Sequence, residues 1–408
     1  MQPTQKIFRL EGSIQHYNWG GERFLPELLG KNNTDHSPFA EYWMGAHENA
    51  PSLLILPDGT KQSLDEFIRK QESTVLGERV ATKFGRLPYL FKILDVSHML
   101  SIQVHPSKKA AEQEFAAENK NNVPLKASNR NYKDDNHKPE LMVAWSDFWL
   151  LHGFKPAQKL ESILNTIPEL SFLMTAWKQS GYEGIYKLVM EMDQAEVNKI
   201  LQPLVDRILP LYEKDQLKKS EEDFWAARAY KTFCKEGHID RGLFSVYLFN
   251  LVNLQPGEAI FQDAGILHAY LEGQNLELMA NSDNVLRGGL TTKQVDVPEL
   301  LKHVKFVPVE PAIIKGKLNP INREEVYQTP AEDFELRRLI LAKGQTIKLE
   351  SKTIDIFLIA DGSVEAAQNG SVLNLSKGQS MLTINGASLT IKPGDLGAVV
   401  FRATVPGE

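Results

Sequence analysis

The chain has 408 residues, of which 42% are hydrophobic and 24% are charged, a composition typical of a globular protein with two or three domains. Its net charge of −6 gives no general affinity for nucleic acid or anionic lipid, so attraction for a phosphate ester must come from local cations. No stretch reaches the roughly 18 apolar residues of a membrane span. The single cysteine, Cys234, cannot form an internal disulfide, which favours a cytoplasmic protein.

The first part of the chain is predicted to contain short strands with two helices between them. The spacing of apolar residues predicts one helix over residues 63–84, with Ser63 at its N-cap, and another over residues 108–119. The apolar run at residues 87–94 predicts a buried strand.

The middle of the chain, residues 156–236, is predicted to be helical. Glycine becomes rare there, and apolar residues recur with the 3.6-residue period of four or five helices. Pro203 lies inside the clearest apolar stripe, so we expect that helix to be kinked or split.

Strands return after residue 237, and residues 308–408 are predicted to be all-β. Turn dipeptides such as Asn369-Gly370 and Asn385-Gly386 recur about every ten residues, which is typical of a barrel or jelly roll. Because no histidine follows His303, we expect this region to be structural.

The strand predicted at residues 100–106 carries the first pattern that indicates a functional site. Strand side chains alternate between faces, so Ser101, Gln103 and His105 point to one side. Ile102 and Val104 point to the other side, into apolar packing. The polar face indicates either a prepared site or an edge strand with a solvated face, and this stretch alone does not decide between them.

Three later motifs favour the functional interpretation. They are the His-Lys-Pro-Glu segment at residues 137–140, a histidine within the apolar run at residues 265–270, and the Asn-Val-Leu-Arg-Gly-Gly-Leu-Thr-Thr-Lys segment at residues 284–293. Together with the Gln-x-His strand, these motifs resemble those of class I mannose-6-phosphate isomerases, also called phosphomannose isomerases. The resemblance covers most of the chain.

The resemblance implies a mainly β fold with an α-helical insertion, built from two cupin-like jelly-roll β-barrels. The catalytic barrel would be discontinuous, formed by residues 1–155 and 237–307. Residues 156–236 would form the helical insertion domain, and residues 308–408 the C-terminal barrel.

The resemblance also implies a metal site formed by Gln103, His105, Glu140 and His268. Two imidazoles and a carboxylate suit one Zn²⁺ per chain, although Mn²⁺ or Co²⁺ would also bind such ligands. From the residues alone, His105 and His268 are the best-supported ligands. The alternative is a closed site that only stabilises the fold.

The activity implied by the resemblance is interconversion of mannose 6-phosphate and fructose 6-phosphate through a cis-enediol(ate), with a metal-assisted hydride shift as the competing route. The proton route needs a base, and four residues are candidates: His137, Lys138, Asp283 and Glu277. Lys138 is either that base or a cation that orients the substrate. His137 either assists ring opening or supports the metal site.

The remaining predicted site residues bind the substrate. Arg287, in a glycine-flanked turn, could stabilise the enediolate oxygens, the alternative being a surface salt bridge. By resemblance, Ser101 and Lys293 would hold the phosphate. Glu277 is a candidate for binding sugar hydroxyls, and Tyr270 would share a strand face with His268.

Two other functions fit part of the pattern. One is a non-catalytic, metal-containing protein that binds sugar phosphates, and the other is a barrel-fold metal oxygenase. Intact Lys138 and Arg287 argue against the first, and the lysine pair Lys138 and Lys293 has no obvious role in the second. The expected partner is therefore a small sugar phosphate, with neither nucleic acid nor membrane involved and with a monomer as a plausible state.

Overall fold

The computed structural model describes residues 5–320 and 323–407. The strands in chain order are β1 (Ile7–Glu11), β2 (Ser13–Gln15), β3 (Glu41–Gly45), β4 (Leu53–Ile55), β5 (Lys61–Ser63), β6 (Tyr89–Val96), β7 (Gln103–Val104), β8 (Glu140–Ala144), β9 (Phe148–Phe154), β10 (Phe249–Leu254), β11 (Glu258–Gln262), β12 (His268–Ala280), β13 (Leu286–Arg287), β14 (Ile314–Lys315), β15 (Lys317–Leu318), β16 (Glu325–Tyr327), β17 (Glu335–Leu341), β18 (Ile347–Ser351), β19 (Asp355–Gln368), β20 (Ser371–Ser376), β21 (Ser380–Thr383) and β22 (Ala387–Thr404).

The helices are α1 (Phe24–Leu28), α2 (Leu64–Lys70), α3 (Glu72–Leu76), α4 (Glu78–Phe84), α5 (Lys108–Lys120), α6 (Ala157–Thr166), α7 (Leu173–Glu191), α8 (Gln194–Glu213), α9 (Glu222–Phe233), α10 (Gly242–Leu248) and α11 (Val297–His303). A short 3₁₀ helix, Pro168–Leu170, precedes α7. Within residues 5–320 and 323–407, no helix combines the length and apolar character needed to cross a membrane.

The described strands form two antiparallel sheets of eleven strands each. The first sheet runs in the order β14-β11-β8-β12-β6-β3-β2, with β7, β9, β10 and β13 attached. The second runs β15-β16-β17-β22-β19-β21-β1-β4-β5, with β18 and β20 attached. The mainly β class with a helical insertion is confirmed. Within the described residues neither path closes into a ring, which differs from the closed barrels expected.

Both sheets draw strands from distant parts of the chain. Strands β1, β4 and β5 belong to the second sheet, where β1 lies between β21 and β4. Conversely, β14 pairs with β11 of the first sheet. The predicted domain ranges stay a prediction, since strand pairing alone does not delimit domains.

The predicted helices differ from the observed ones at their breaks. The single helix expected over residues 63–84 is three helices, because Gln71 and Gly77 leave the helical conformation, Gly77 with a φ of +83°. Helix α8 runs unbroken through Pro203, so the helix is not split there. The break lies instead in α7, at Gly181, which has a φ of +57°.

The helical insertion packs on the first sheet through a large apolar core. Leu151 and Phe154 of β9 belong to the same buried cluster as Tyr186 of α7 and Trp225 of α9. This cluster also includes Val104, which lies between Gln103 and His105. Burial of Val104 fixes the face on which its two polar neighbours lie.

Candidate functional site

The ends of three strands bring His105, Glu140 and His268 together. His105 follows β7, which pairs with β12 so that Gln103 lies opposite His268. Glu140 is the first residue of β8, which also pairs with β12. The three side chains can each offer one ligand atom within 4.8 Å of the others. His105 Nε2 and His268 Nε2 each lie 3.4 Å from a Glu140 oxygen.

Both imidazoles are oriented by main-chain carbonyl groups. His105 Nδ1 is 2.8 Å from the Asn284 carbonyl, and His268 Nδ1 is 3.0 Å from that of Ile266. A carbonyl only accepts, so each Nδ1 carries the hydrogen, and in a neutral ring Nε2 then keeps a lone pair towards Glu140. His105 Nε2 is buried and makes no hydrogen bond with the described residues. A buried lone pair of this kind fits a metal-ligand position.

The protonation states also suit a cation. Burial lowers the pKa of His105 to about 4, although Glu140 opposes the shift, so the imidazole is neutral near pH 7. Burial opposes ionisation of Glu140, but His105 and Lys138 outweigh it and hold the pKa of its carboxyl well below the usual range. The neutral imidazole of His105, the imidazole of His268 and one carboxylate form a donor set that Zn²⁺ prefers.

A buried lysine that the sequence analysis did not identify lies beside this centre. Lys92 Nζ is 3.3 Å from Glu41 and 3.2 Å from Glu277. Burial would lower the pKa of Lys92, but these carboxylates, with Glu140, raise it above the usual value. The available signal was a lysine inside the apolar run at residues 87–94.

Glu277 and Tyr270, both predicted to contact the sugar, are buried in this cluster. The Tyr270 hydroxyl donates to Glu277 Oε1 at 2.9 Å. Burial and the nearby Glu140 raise the pKa of Glu277, against the lowering effect of Lys92. The two residues lie next to the metal centre, and their contacts with a substrate stay predictions.

Three cations lie near the same centre. Lys138 Nζ is 3.5 Å from Glu140 Oε1. Arg287 is paired with Gln103 across β13 and β7, and its side chain makes no hydrogen bond or ion pair with the described residues. Burial lowers the pKa of Arg287. Burial and the charge of Arg287 also lower the pKa of Lys293. Arg287 and Lys293, neighbouring cations without a carboxylate partner among the described residues, form a site suited to a phosphate or an enediolate.

The turn after Arg287 is held against the start of α10. Gly289 has a φ of +118°, and a Cβ there would lie 2.7 Å from the Cα of Gly242, so only glycine fits. Asp240 Oδ1 accepts a hydrogen bond from the Leu290 amide at 2.8 Å. The main chain of Ile102, next to Ser101, bonds to Gly289 at 3.0 Å, which places Ser101 beside this turn.

The last two predicted residues have partners that the sequence analysis missed. His137 Nε2 lies 2.9 Å from Oδ2 of Asp333, a buried residue just before β17 of the second sheet. Asp283 Oδ1 lies 3.2 Å from His47 Nε2. Both partners are more than 180 residues away in sequence, so no local pattern indicates them. The catalytic roles of His137 and Asp283 stay predictions.

Comparison with known proteins gives consistent results. The family described as "Phosphomannose isomerase type I, catalytic domain" matches residues 7–157. Mannose-6-phosphate isomerase of Escherichia coli K12 is 36% identical over 392 residues, covering 94% of this chain and 96% of the relative. Mannose-6-phosphate isomerase 1 of Arabidopsis thaliana is 35% identical over 397 residues, covering 90% of this chain and 87% of the relative.

A solved structure is similar over nearly the whole chain. It is mannose 6-phosphate isomerase from Salmonella typhimurium bound to fructose 6-phosphate and zinc. It superposes with a TM-score of 0.88 at 33% identity and covers 99% of this chain and 100% of the other.

Proposed function

The chain belongs to the type I phosphomannose isomerase family, and on that premise we propose that it interconverts D-mannose 6-phosphate and D-fructose 6-phosphate. The observation that carries the proposal is the buried His105–Glu140–His268 cluster beside Arg287 and Lys293, two cations without a protein anion among the described residues. A metal next to a phosphate-binding position is the arrangement that a sugar-phosphate isomerase needs.

Zinc is the proposed cofactor, held by His105, Glu140 and His268 with Gln103 as the fourth ligand. When bound, zinc supplies Lewis acidity towards the substrate oxygens. The neutral imidazoles and the single carboxylate leave that site about one net positive charge, which favours an anionic intermediate.

The chain's own cations bind and stabilise the sugar phosphate. Lys293 and Ser101 hold the phosphate, which sets the position of C1 and C2 relative to the metal centre. Arg287 stabilises the negative charge that develops on the enediolate oxygens, because its guanidinium is held by the turn and has no protein carboxylate to compete.

The hydrogen moves as a proton in this scheme. A base takes it from C2 of the aldose, the electron pair of that bond forms the C1–C2 double bond, and the carbonyl oxygen gains a proton. Returning a proton to C1, while the hydroxyl on C2 loses its proton and its oxygen forms the new carbonyl, then gives the ketose. Four groups are candidates for these transfers: Lys138, Asp283, His137 and Glu277. Lys138 acts either as the base or as a cation that orients the substrate.

We also propose that the protein acts in the cytoplasm, with the sugar phosphate as its partner. The free thiol of Cys234 supports a reducing compartment.

The test is conversion of mannose 6-phosphate to fructose 6-phosphate by the purified full-length chain. We expect activity to be lost after chelation and restored by Zn²⁺, with Mg²⁺ as the control that does not restore it. A folded, zinc-loaded protein that binds the sugar phosphate without converting it would instead be a binding protein.

A further inference from the structure

We propose that His47 is a positioning residue for this reaction, which holds the carboxylate of Asp283 in one orientation at the metal centre. The inference rests on the proposed isomerase function. Asp283 immediately precedes Asn284, whose carbonyl accepts the hydrogen bond from the metal ligand His105. The main-chain amide of Asp283 is itself fixed, because it donates to Asp134 Oδ2 at 2.7 Å.

The hydrogen bonds around His47 determine its tautomer. The Asn49 main-chain N–H donates to His47 Nδ1 at 3.2 Å, so Nδ1 is an acceptor. The hydrogen of a neutral ring must then lie on Nε2, which donates to Asp283 Oδ1 at 3.2 Å. Asn49 Nδ2 donates to the other oxygen, Oδ2, at the longer distance of 3.5 Å. Both oxygens therefore have a donor, and the plane of the carboxylate is fixed.

Packing prevents the ring of His47 from rotating. His47 is only 5% exposed, and its ring lies edge-on against Trp43 with centroids 4.8 Å apart. Trp43 is fixed in turn, since its Nε1 donates to Glu41 and Lys92 Nζ lies 5.0 Å from its ring centroid. The buried ion pairs of Lys92 thus support the ring that orients Asp283.

The groups around Asp283 keep it ionised. Burial alone would raise its pKa, but the hydrogen bond from His47 and the charges of Lys138 and Lys92 hold the pKa of Asp283 below the usual value. Lys133 and the Tyr17 hydroxyl also interact electrostatically with Asp283. An oriented carboxylate can take a proton from the substrate, and Oδ2 is the more available oxygen because its contact is longer.

The experiment compares His47→Leu and His47→Gln in the zinc-loaded full-length protein. The matched control is His36→Leu, because His36 also lies 3.2 Å from a carboxylate, that of Glu22, but on the exposed surface. The pH profile of kcat/KM is measured with mannose 6-phosphate. The titration of the Asp283 carboxyl is followed in parallel by ¹³C NMR, with Asp283→Asn used to assign the signal.

We expect His47→Leu to lower kcat at least about tenfold. The acidic limb of the kcat/KM profile and the titration of the Asp283 carboxyl should both move about one pH unit higher. His47→Gln should recover most of the activity, because its amide can donate to Oδ1, and His36→Leu should match the wild type.

An unchanged Asp283 titration in His47→Leu, or full activity in Asp283→Asn, would overturn the inference. If the Asp283 carboxyl of the wild type titrates as expected but the protein does not convert the sugar, only the proposed function is overturned. If His47→Leu does not fold, the same NMR titration of Asp283 is measured in Asn49→Ala, which removes the hydrogen-bond donor to Oδ2.

Discussion

The Nδ1–H of His105 donates to the carbonyl of Asn284, whose side chain contacts the loop before Lys138. The side chain of Asn284 clamps that loop. Its Oδ1 accepts from the Lys133 amide at 2.7 Å, and its Nδ2 donates to the carbonyls of Asp134 at 2.7 Å and Asn136 at 2.9 Å. One residue therefore sets the tautomer of His105 and the path of the His-Lys-Pro-Glu segment.

Replacing Asn284 by Ala should affect both zinc binding and stability. The variant leaves buried main-chain groups without partners, which costs about 1–3 kcal/mol of unfolding free energy. Displacement of the main-chain carbonyl that accepts from His105 should weaken zinc binding about tenfold to a hundredfold. Urea unfolding of the metal-free protein and a competitive zinc titration measure the two effects. Zinc affinity equal to that of the wild type would show that the clamp does not reach the metal site.

Replacing Lys92 by Met should strongly destabilise the protein. The change leaves Glu41 and Glu277 buried without their shared cation, and breaking a buried ion pair on one side costs about 3–5 kcal/mol. Lys61→Met is the control, since Lys61 pairs with Glu11 on the surface, where a pair contributes about 0–1 kcal/mol. Chemical denaturation measures both. Adding Glu277→Gln to Lys92→Met should recover part of the loss, and no recovery would contradict this electrostatic account.

Replacing Arg287 by Ala should remove activity without removing zinc. Loss of a donor that stabilises charge in the transition state lowers kcat about 100–1000-fold, whereas Arg287 is not a predicted ligand. Arg287→Lys should recover little, because an ammonium lacks the planar set of donors. Steady-state kinetics and metal analysis measure these effects, with Arg23→Ala, at an exposed pair with Glu27, as the control. A large loss of zinc in Arg287→Ala would assign the residue to the metal site instead.

Replacing Asp333, just before β17 of the second sheet, by Asn should lower the isomerase activity. Asp333 binds His137 Nε2, which leaves Nδ1 of that ring for proton exchange. If His137 assists ring opening, we expect kcat to fall at least about tenfold with zinc content unchanged. The control is Asp395→Asn, in β22 of the second sheet, where Asp395 forms an exposed ion pair with Lys343. Full activity in Asp333→Asn would limit the His137–Asp333 bond to a structural contact.

His152 should make stability depend on pH between about 4 and 6.5. Burial lowers the pKa of His152 from 6.5 to about 4, although its hydrogen bond to Gln262 opposes the shift. The unfolded chain therefore binds more protons in this window, and the contribution of His152 to stability is lost as the pH falls. The wild type should lose about 2 kcal/mol more than His152→Gln between pH 7 and pH 5. Urea unfolding with excess zinc at both values measures the difference, and equal losses would contradict it.

The grouping of His105, Glu140 and His268 was predictable because the chemistry of these residues is visible in short motifs. His105 and Gln103 occupy one strand face, and Glu140 closes a motif of titratable residues. The Lys92 cluster was not predictable, because it depends on the register between strands that are far apart in sequence. Lys92 lies opposite Trp43 on one side and Glu277 on the other, and a shift of one residue would separate them.

The helix end at Gly77 is a local signal that apolar spacing alone overlooks, whereas the partner of β1 is set by tertiary structure. Gly77 ends a helix within a stretch whose apolar spacing predicts one continuous helix. The sequence of β1 shows an ordinary strand, but the choice of partner depends on residues near the other end of the chain. Local propensity does not contain that information.

The position of β1 has a consequence for synthesis on the ribosome. Ile7 pairs with Thr383, so one edge of β1 has no native partner until nearly the whole chain has been translated. At about 5–20 residues per second, that interval lasts roughly 20–75 seconds. During this time the nascent chain exposes an apolar strand edge, so yield in cells should depend on chaperones that shield it. Slower elongation would then lengthen the exposure rather than assist folding.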